Sequence, residues 1–119
     1  MRDFKDLAVW QKSHRLVLEV CRASSSFPGD ERFGLTAQLR RSAASIPTNI
    51  AEGCGRDGER ELARFLSIAA ASASETEYHL LLALDLGYLQ RSAYDPLHGL
   101  VTEVRKMLAA FHRKLTADG

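Results

Sequence analysis

Leu35-Thr36-Ala37-Gln38-Leu39-Arg40-Arg41-Ser42-Ala43-Ala44-Ser45-Ile46-Pro47-Thr48-Asn49-Ile50-Ala51-Glu52-Gly53 carries apolar residues at Leu35, Leu39, Ala43, Ile46 and Ile50, steps of four, four, three and four. Those steps trace one face of an α-helix, and they pass Pro47 without losing register. Two separate helices would reset the register at the break. The stretch therefore reads as one helix, from about Phe33 to about Gly53, kinked where Pro47 removes a backbone donor and crowds the carbonyl of Ala43. The Ser42 or Ser45 hydroxyls are expected near the carbonyls freed there. An interior proline costs about 3 kcal/mol in an exposed helix, so tight packing is expected on both sides of it. One helix here makes four in the chain; two would make five.

The same period recurs on both sides of this stretch. Helix one runs from about Asp6, a plausible N-cap, to about Ser25, with Val9, Trp10, Leu16, Val17, Val20 and Cys21 on one face. Ser24-Ser25-Ser26-Phe27-Pro28-Gly29-Asp30 forms the loop after it. Gly53 and Gly55 end helix two. Helix three runs from about Asp57 to about Leu86, with Gly87 as its C′ residue. Helix four starts near Ser92 or Asp95, with Pro96 at N1, and ends near Leu115. Leu97, Leu100, Val101, Val104, Met107, Leu108, Phe111 and Leu115 make one stripe along it. Nothing alternates with period two between turn signals, so no strand is expected. Four helices joined by short loops imply antiparallel neighbours: an all-α, up-down-up-down antiparallel four-helix bundle, with residues 1–119 as a single domain.

The chain has 119 residues and a formal net charge of +1. Charge does not separate along it. Residues 1–36 hold six Lys/Arg against five Asp/Glu, residues 37–64 five against four, and residues 65–119 five against six. A dedicated nucleic-acid binder shows a basic excess, because its affinity comes largely from neutralising phosphates. Cys21 and Cys54 are too few for a disulfide framework and suit a reducing, cytoplasmic setting. His14, His79, His98 and His112 have no metal-ligand spacing, so no metal and no cofactor is expected. The charged start, Met1-Arg2-Asp3-Phe4-Lys5-Asp6, is unlike a signal peptide. No run reaches the roughly 18 apolar residues of a membrane span.

Helix three points to self-association. Leu62, Phe65, Leu66, Ala69, Ala73, Leu80, Ala83 and Leu84 form its core stripe, yet Ile68, Leu86, Ala63, Ala70 and Leu81 flank that stripe, and Ala71, Tyr78 and Leu82 lie behind it. A helix apolar all round is buried all round, and a four-helix domain buries only one side of each helix. On helix two, Ala37, Ala44 and Ala51 recur every seven residues opposite the core stripe. Ala37, Ala44, Ala51, Ile68, Tyr78 and Leu82 are therefore the candidate interface with further copies of the chain, Leu82 pointing outward.

Three constellations bear on chemistry. Gly53-Cys54-Gly55-Arg56-Asp57-Gly58 matches G-x-G-x-x-G, but a helix precedes it where a dinucleotide site needs a strand; it reads as an interhelical turn. Arg40, Arg41, Arg56, Arg60 and Arg64 are the candidate nucleic-acid contacts, the last three clustering at one end if helices two and three run antiparallel. Glu52, Asp57, Glu59 and Glu61 sit among them, so much of that charge belongs to a solvated, paired face. Gln38, Ser42, Ser45, Asn49 and Glu52 form a polar stripe beside the core face of helix two, and Ser72, Glu75 and His79 lie on one side of helix three. Facing each other, they would make a hydrogen-bonded network that fixes register. A hydrolase or ligand-binding reading of the Ser72/Glu75/His79 side lacks an oxyanion hole or nucleophile elbow.

The chain resembles the four-helix-bundle family first noted as proteins encoded in intervening sequences of 23S ribosomal RNA genes. The matching residues are Asp6-Leu7-Ala8-Val9-Trp10-Gln11-Lys12, then Gln38 through Gly53, then Phe65-Leu66-Ser67-Ile68-Ala69 with Ser72 and Glu75. The resemblance implies a homopentamer. It extends to the accessory variability determinant proteins of diversity-generating retroelements, which are pentameric, basic, bind nucleic acid and assist a reverse transcriptase; the near-neutral charge here departs from that pattern. The expected function is that of a non-enzymatic, oligomeric binding or scaffold protein, partnering itself and, weakly and without sequence preference, nucleic acid or a nucleoprotein, with no membrane partner.

Overall fold

The stretch through Pro47 is one unbroken helix in a computed structural model of the chain, which describes residues 2–117. It is the second of four: α1 Ala8–Ser24, α2 Leu35–Cys54, α3 Glu59–Asp85 and α4 Arg91–Thr116, with 3₁₀ turns at Phe4–Asp6 and Gly29–Glu31. There is no strand among the described residues. The Pro47 ring is buried. Neither serine serves the carbonyl it crowds: the Ser42 hydroxyl lies 3.1 Å from the Leu39 carbonyl and the Ser45 hydroxyl turns toward α3. Thr48 acts nearby instead, its hydroxyl donating to the Ala44 carbonyl at 2.8 Å.

Each helix packs on two others. α1 and α3 both touch α2 and α4, while the pairs α1–α3 and α2–α4 do not meet, so the helices stand at the corners of a square in a body of 46 × 22 × 20 Å. Leu16, Leu39, Ile46, Ile50, Leu66, Leu80, Val101, Val104 and Leu108 fill its middle, essentially without exposure. Burying each such side chain contributes about 1.5–3 kcal/mol.

The ends of the helices differ from expectation more than their faces do. α1 is preceded by Leu7, which offers no side-chain cap; Asp3, not Asp6, accepts a hydrogen bond, from Lys5 N at 3.0 Å, and caps the 3₁₀ turn. α4 begins at Arg91, which leaves Pro96 inside the helix rather than at its first position. Gly53 lies within α2, and Gly55 follows its last residue. Gly87 does act as expected. It has φ +81°, its N–H reaches the Leu84 carbonyl at 3.0 Å, and Tyr88 N–H reaches the Ala83 carbonyl at 2.9 Å, the two bonds of a Schellman motif. On α1, Cys21 is exposed, not part of the core face.

Candidate functional site

Three regions hold the residues singled out by the sequence: the seam between α2 and α3, the turn joining them, and the outer groove between α1 and α2.

The seam starts at Gly53. A Cβ there would lie 2.8 Å from Phe65 Cβ and 3.0 Å from Leu62 Cδ1, so only a glycine lets α2 come this close to α3. Further along, Ser45 Oγ and Ser72 Oγ are 2.8 Å apart, and Asn49 Nδ2 donates to the Ser45 carbonyl at 2.8 Å and to Ser45 Oγ at 2.9 Å. Ser42 Oγ lies 3.0 Å from Thr76 Oγ1 and 3.2 Å from His79 Nδ1, and Thr76 Oγ1 is 2.8 Å from the Ser72 carbonyl. His79 is 6% exposed. Burial pushes its imidazole pKa down, opposed by the Glu75 carboxylate 3.8 Å from Nε2. The imidazole is thus a neutral member of a hydroxyl network.

The seam brings together Ser42, Ser45, Asn49 and Ser72, with Glu75 at the rim. Gln38 is exposed and Glu52 faces Arg56 at 3.7 Å; neither joins. Thr76 occupies the centre and was missed, although it stands four residues after Ser72 and three before His79 on the same stripe. Ser72 is spent on Ser45, while the serine beside His79 is Ser42, which is buried. A substrate carbonyl has no access to it.

At the α2–α3 turn, the Arg56 and Arg64 guanidiniums lie 5.2 and 4.6 Å from the centroid of the Phe65 ring, within cation–π range. Arg64 also donates to Glu61 at 3.0 and 3.3 Å, a bond that holds the Glu61 carboxyl below its ordinary pKa. Arg60 and Arg64, with His112, line a groove of about 820 Å³ between α3 and α4. Arg40 does not belong to this cluster. Its Nε donates to Ser24 Oγ at 2.8 Å and its Nη2 to the Cys21 carbonyl at 3.3 Å, tying α2 to the last turn of α1, where a cation complements the helix dipole. Arg40 and Arg41 stand roughly 24 Å along α2 from Arg56 at 1.5 Å per residue. The local cluster is Arg56, Arg60 and Arg64, and two of those three face carboxylates. The Gly53–Gly58 run spans the end of α2 and this turn, with Gly58 at φ +86° before α3.

The outer groove is lined by Phe4, Trp10, His14 and Val17 from the N-terminal turn and α1, and by Ala44, Pro47, Thr48, Ala51 and Glu52 from α2; it holds about 620 Å³. Phe4 packs on Trp10 with centroids 4.9 Å apart, and His14 stacks on Trp10 at 5.0 Å, which fixes the indole in place. Ala44 and Ala51 form part of its floor; Ala37 lies higher on α2, half-buried. On α3, Ile68 is 38% and Tyr78 59% exposed. Leu82 is not outward: it is half-buried and packs against the core. Among the described residues no three His, Cys, Asp or Glu are grouped to hold a metal ion, and no helix is long and apolar enough to cross a membrane.

A crystal structure of a protein of unknown function from the S23 ribosomal protein family of Bacteroides thetaiotaomicron superposes with a TM-score of 0.80 at 27% identity, covering 89% of this chain and 99% of that one. No curated protein matches the chain. The family model described as 23S rRNA-intervening sequence protein matches residues 5–110, almost the whole of the four-helix body, and the chain accordingly belongs to that family.

Proposed function

We propose that this protein is a non-enzymatic, cytoplasmic binding or scaffold protein that works as a homo-oligomer of a single up-down-up-down domain. One observation carries the oligomer: the apolar Trp10/Val17/Ala44/Ala51 groove and the exposed Ile68 and Tyr78 on α3 would together leave a large apolar surface in water on a lone chain. Five copies is the number that the family resemblance implies. The Ser72–Ser45 bond and the burial of Ser42 speak against hydrolysis on the Ser72/Glu75/His79 side.

Contact with RNA or DNA, multiplied by the symmetry of the assembly, would fall to Arg56, Arg60 and Arg64. Their charge is offset by Glu52, Asp57, Glu59 and Glu61, so binding is expected to be weak and indifferent to sequence, at about 10⁻⁴–10⁻⁶ M near physiological salt and tighter at low salt. Light scattering combined with fluorescence anisotropy tests both parts. The expected result is a stable species several times the 13.2 kDa chain mass, with salt-sensitive anisotropy that Arg56→Glu plus Arg60→Glu removes without changing size. A clean monomer at micromolar concentration sinks the scaffold; no signal even at low salt sinks the nucleic-acid contact alone.

A further inference from the structure

Resting on the reading of this chain as a binding protein, we infer that the outer groove between α3 and α4 seats an acidic amphipathic helix of a partner protein. Two hollows make up that groove, and they share His112. The wider, about 820 Å³, reaches from Arg60 and Ala63 on α3 to Leu115 and Thr116 on α4. The narrower, about 280 Å³, continues it along Leu66 and Ala70 on α3 and Leu108 and Ala109 on α4. Glu77, about two turns beyond Ala70 on the same flank of α3, bridges the helices past its far end, 3.3 Å from both His98 Nε2 and Arg105 Nε. From Arg60 to Ala70 the groove runs about 15 Å at 1.5 Å per residue, room for about three turns of an occupant helix.

The lining fits such an occupant in shape and in charge. Its floor mixes the buried Leu66 and Leu108 with the small side chains of Ala63, Ala70 and Ala109, and small side chains at a contact let helix axes approach closely. A helix held in a groove sets apolar anchors at i, i+4 and i+7 on the floor and leaves its polar flanks to the rim. Along this rim stand the guanidiniums of Arg60, Arg64 and Arg113 against the single carboxylate of Glu61. Arg64 is spent on Glu61. Arg60 and Arg113 make no ion pair among the described residues. The grooves on the other sides lack this excess: between α1 and α4, Arg15 and Arg22 are matched by Glu19 and Glu103, and the α1–α2 groove holds Glu52 and no Lys or Arg. A positive rim over an apolar floor selects a negatively flanked apolar face. Nucleic acid fits less well, because the groove is lined by no Phe, Tyr or Trp among the described residues, and unpaired bases are held chiefly by stacking on such rings.

A pair of designed peptides tests this. One fluorescently labelled peptide of about four turns carries leucine at i, i+4, i+7 and i+11 with glutamate on both flanks; its twin carries lysine in place of every glutamate. In anisotropy titrations the glutamate peptide is expected to bind the wild type at least tenfold more tightly than the lysine peptide. Arg60 and Arg113 are exposed, so Arg60→Glu with Arg113→Glu should leave helical signal and mass unchanged while inverting that preference. Ala109→Phe, at an exposed position of the floor, fills the groove and should weaken the glutamate peptide at least tenfold at unchanged melting temperature. Equal binding of the two peptides, a preference that the double variant does not invert, or binding indifferent to Ala109→Phe would overturn the inference. So would a mass that falls in the double variant, which assigns the groove to contact between copies, or RNA binding lost in Ala109→Phe where the glutamate peptide does not bind, which assigns it to nucleic acid. Arg56 lines neither hollow, so an RNA titration of Arg56→Glu reads the nucleic-acid contact separately from the helix partner.

Discussion

Gly53→Val is expected to destabilise the protein by about 3 kcal/mol, the upper part of the range for overpacking a well-filled contact. Helix propensity alone points the other way, since an interior glycine costs about 1 kcal/mol relative to alanine. Space decides. At Gly53 a Cβ already meets Phe65 Cβ at 2.8 Å, and the atom it meets is the root of a side chain on a packed helix rather than a flexible tip. The two branches of valine can be fitted only by moving α2 off α3, which also opens the Ser45–Ser72 and Ser42–Thr76 contacts. Gly99 is the control. It too lies inside a helix, but nothing stands within 4 Å of its added Cβ, so Gly99→Ala should stabilise by about 0.5–1 kcal/mol. Urea unfolding at one fixed protomer concentration gives both values, the concentration being held because assembly shifts apparent stability. Equal effects of the same sign at the two glycines would show that α2 and α3 are not in close contact at Gly53.

His79 should make the protein acid-sensitive. Burial holds its imidazole pKa below the ordinary value of 6.5, with the Glu75 carboxylate opposing. The unfolded chain therefore takes up a proton at His79 at a pH where the folded chain does not, and stability rises with pH through that interval. The contribution is complete above the unfolded value and falls as pH drops below about 6.5, by up to about 1.4 kcal/mol per pH unit, until the folded imidazole itself protonates. Protonation makes both ring nitrogens donors, so Nδ1 can then only donate to Ser42 Oγ. Unfolding free energies measured from pH 7.5 down to pH 5 should slope in the wild type and be flatter in His79→Gln. The same slope in both would place the acid sensitivity elsewhere.

The faces of the helices were legible in the sequence because they rest on period. Leu35 to Ile50 keep one register across Pro47, and the helix keeps it too. Gly87 was legible as a helix stop because a left-handed residue followed by a turn leaves glycine in view. Gly53 was not legible as a contact, because close approach by another helix leaves the same letter as a helix stop. Asp6 and Pro96 misled for a related reason: capping depends on where the first helical hydrogen bond forms, and α1 and α4 begin at Ala8 and Arg91 with no side-chain cap. In the seam, the serines stand out by their spacing, while a single threonine such as Thr76 on the same stripe carries no signal of its own. Arg40 was grouped with distant arginines by letter alone; its bonds to Ser24 and the Cys21 carbonyl depend on how α1 meets α2, which period does not encode.

Trp10 is the one tryptophan of the chain and lines the groove in which a neighbouring copy would sit. Its emission, followed on serial dilution beside the mass from light scattering, reads assembly and the location of the interface in one titration. A neighbour over the groove shields the indole from water, so the emission should move to longer wavelength on dilution, with a midpoint at the protomer concentration where the mass falls toward 13.2 kDa. A mass of 13.2 kDa at every concentration, or a mass that falls while the Trp10 emission stays fixed, would contradict assembly through the α1–α2 groove.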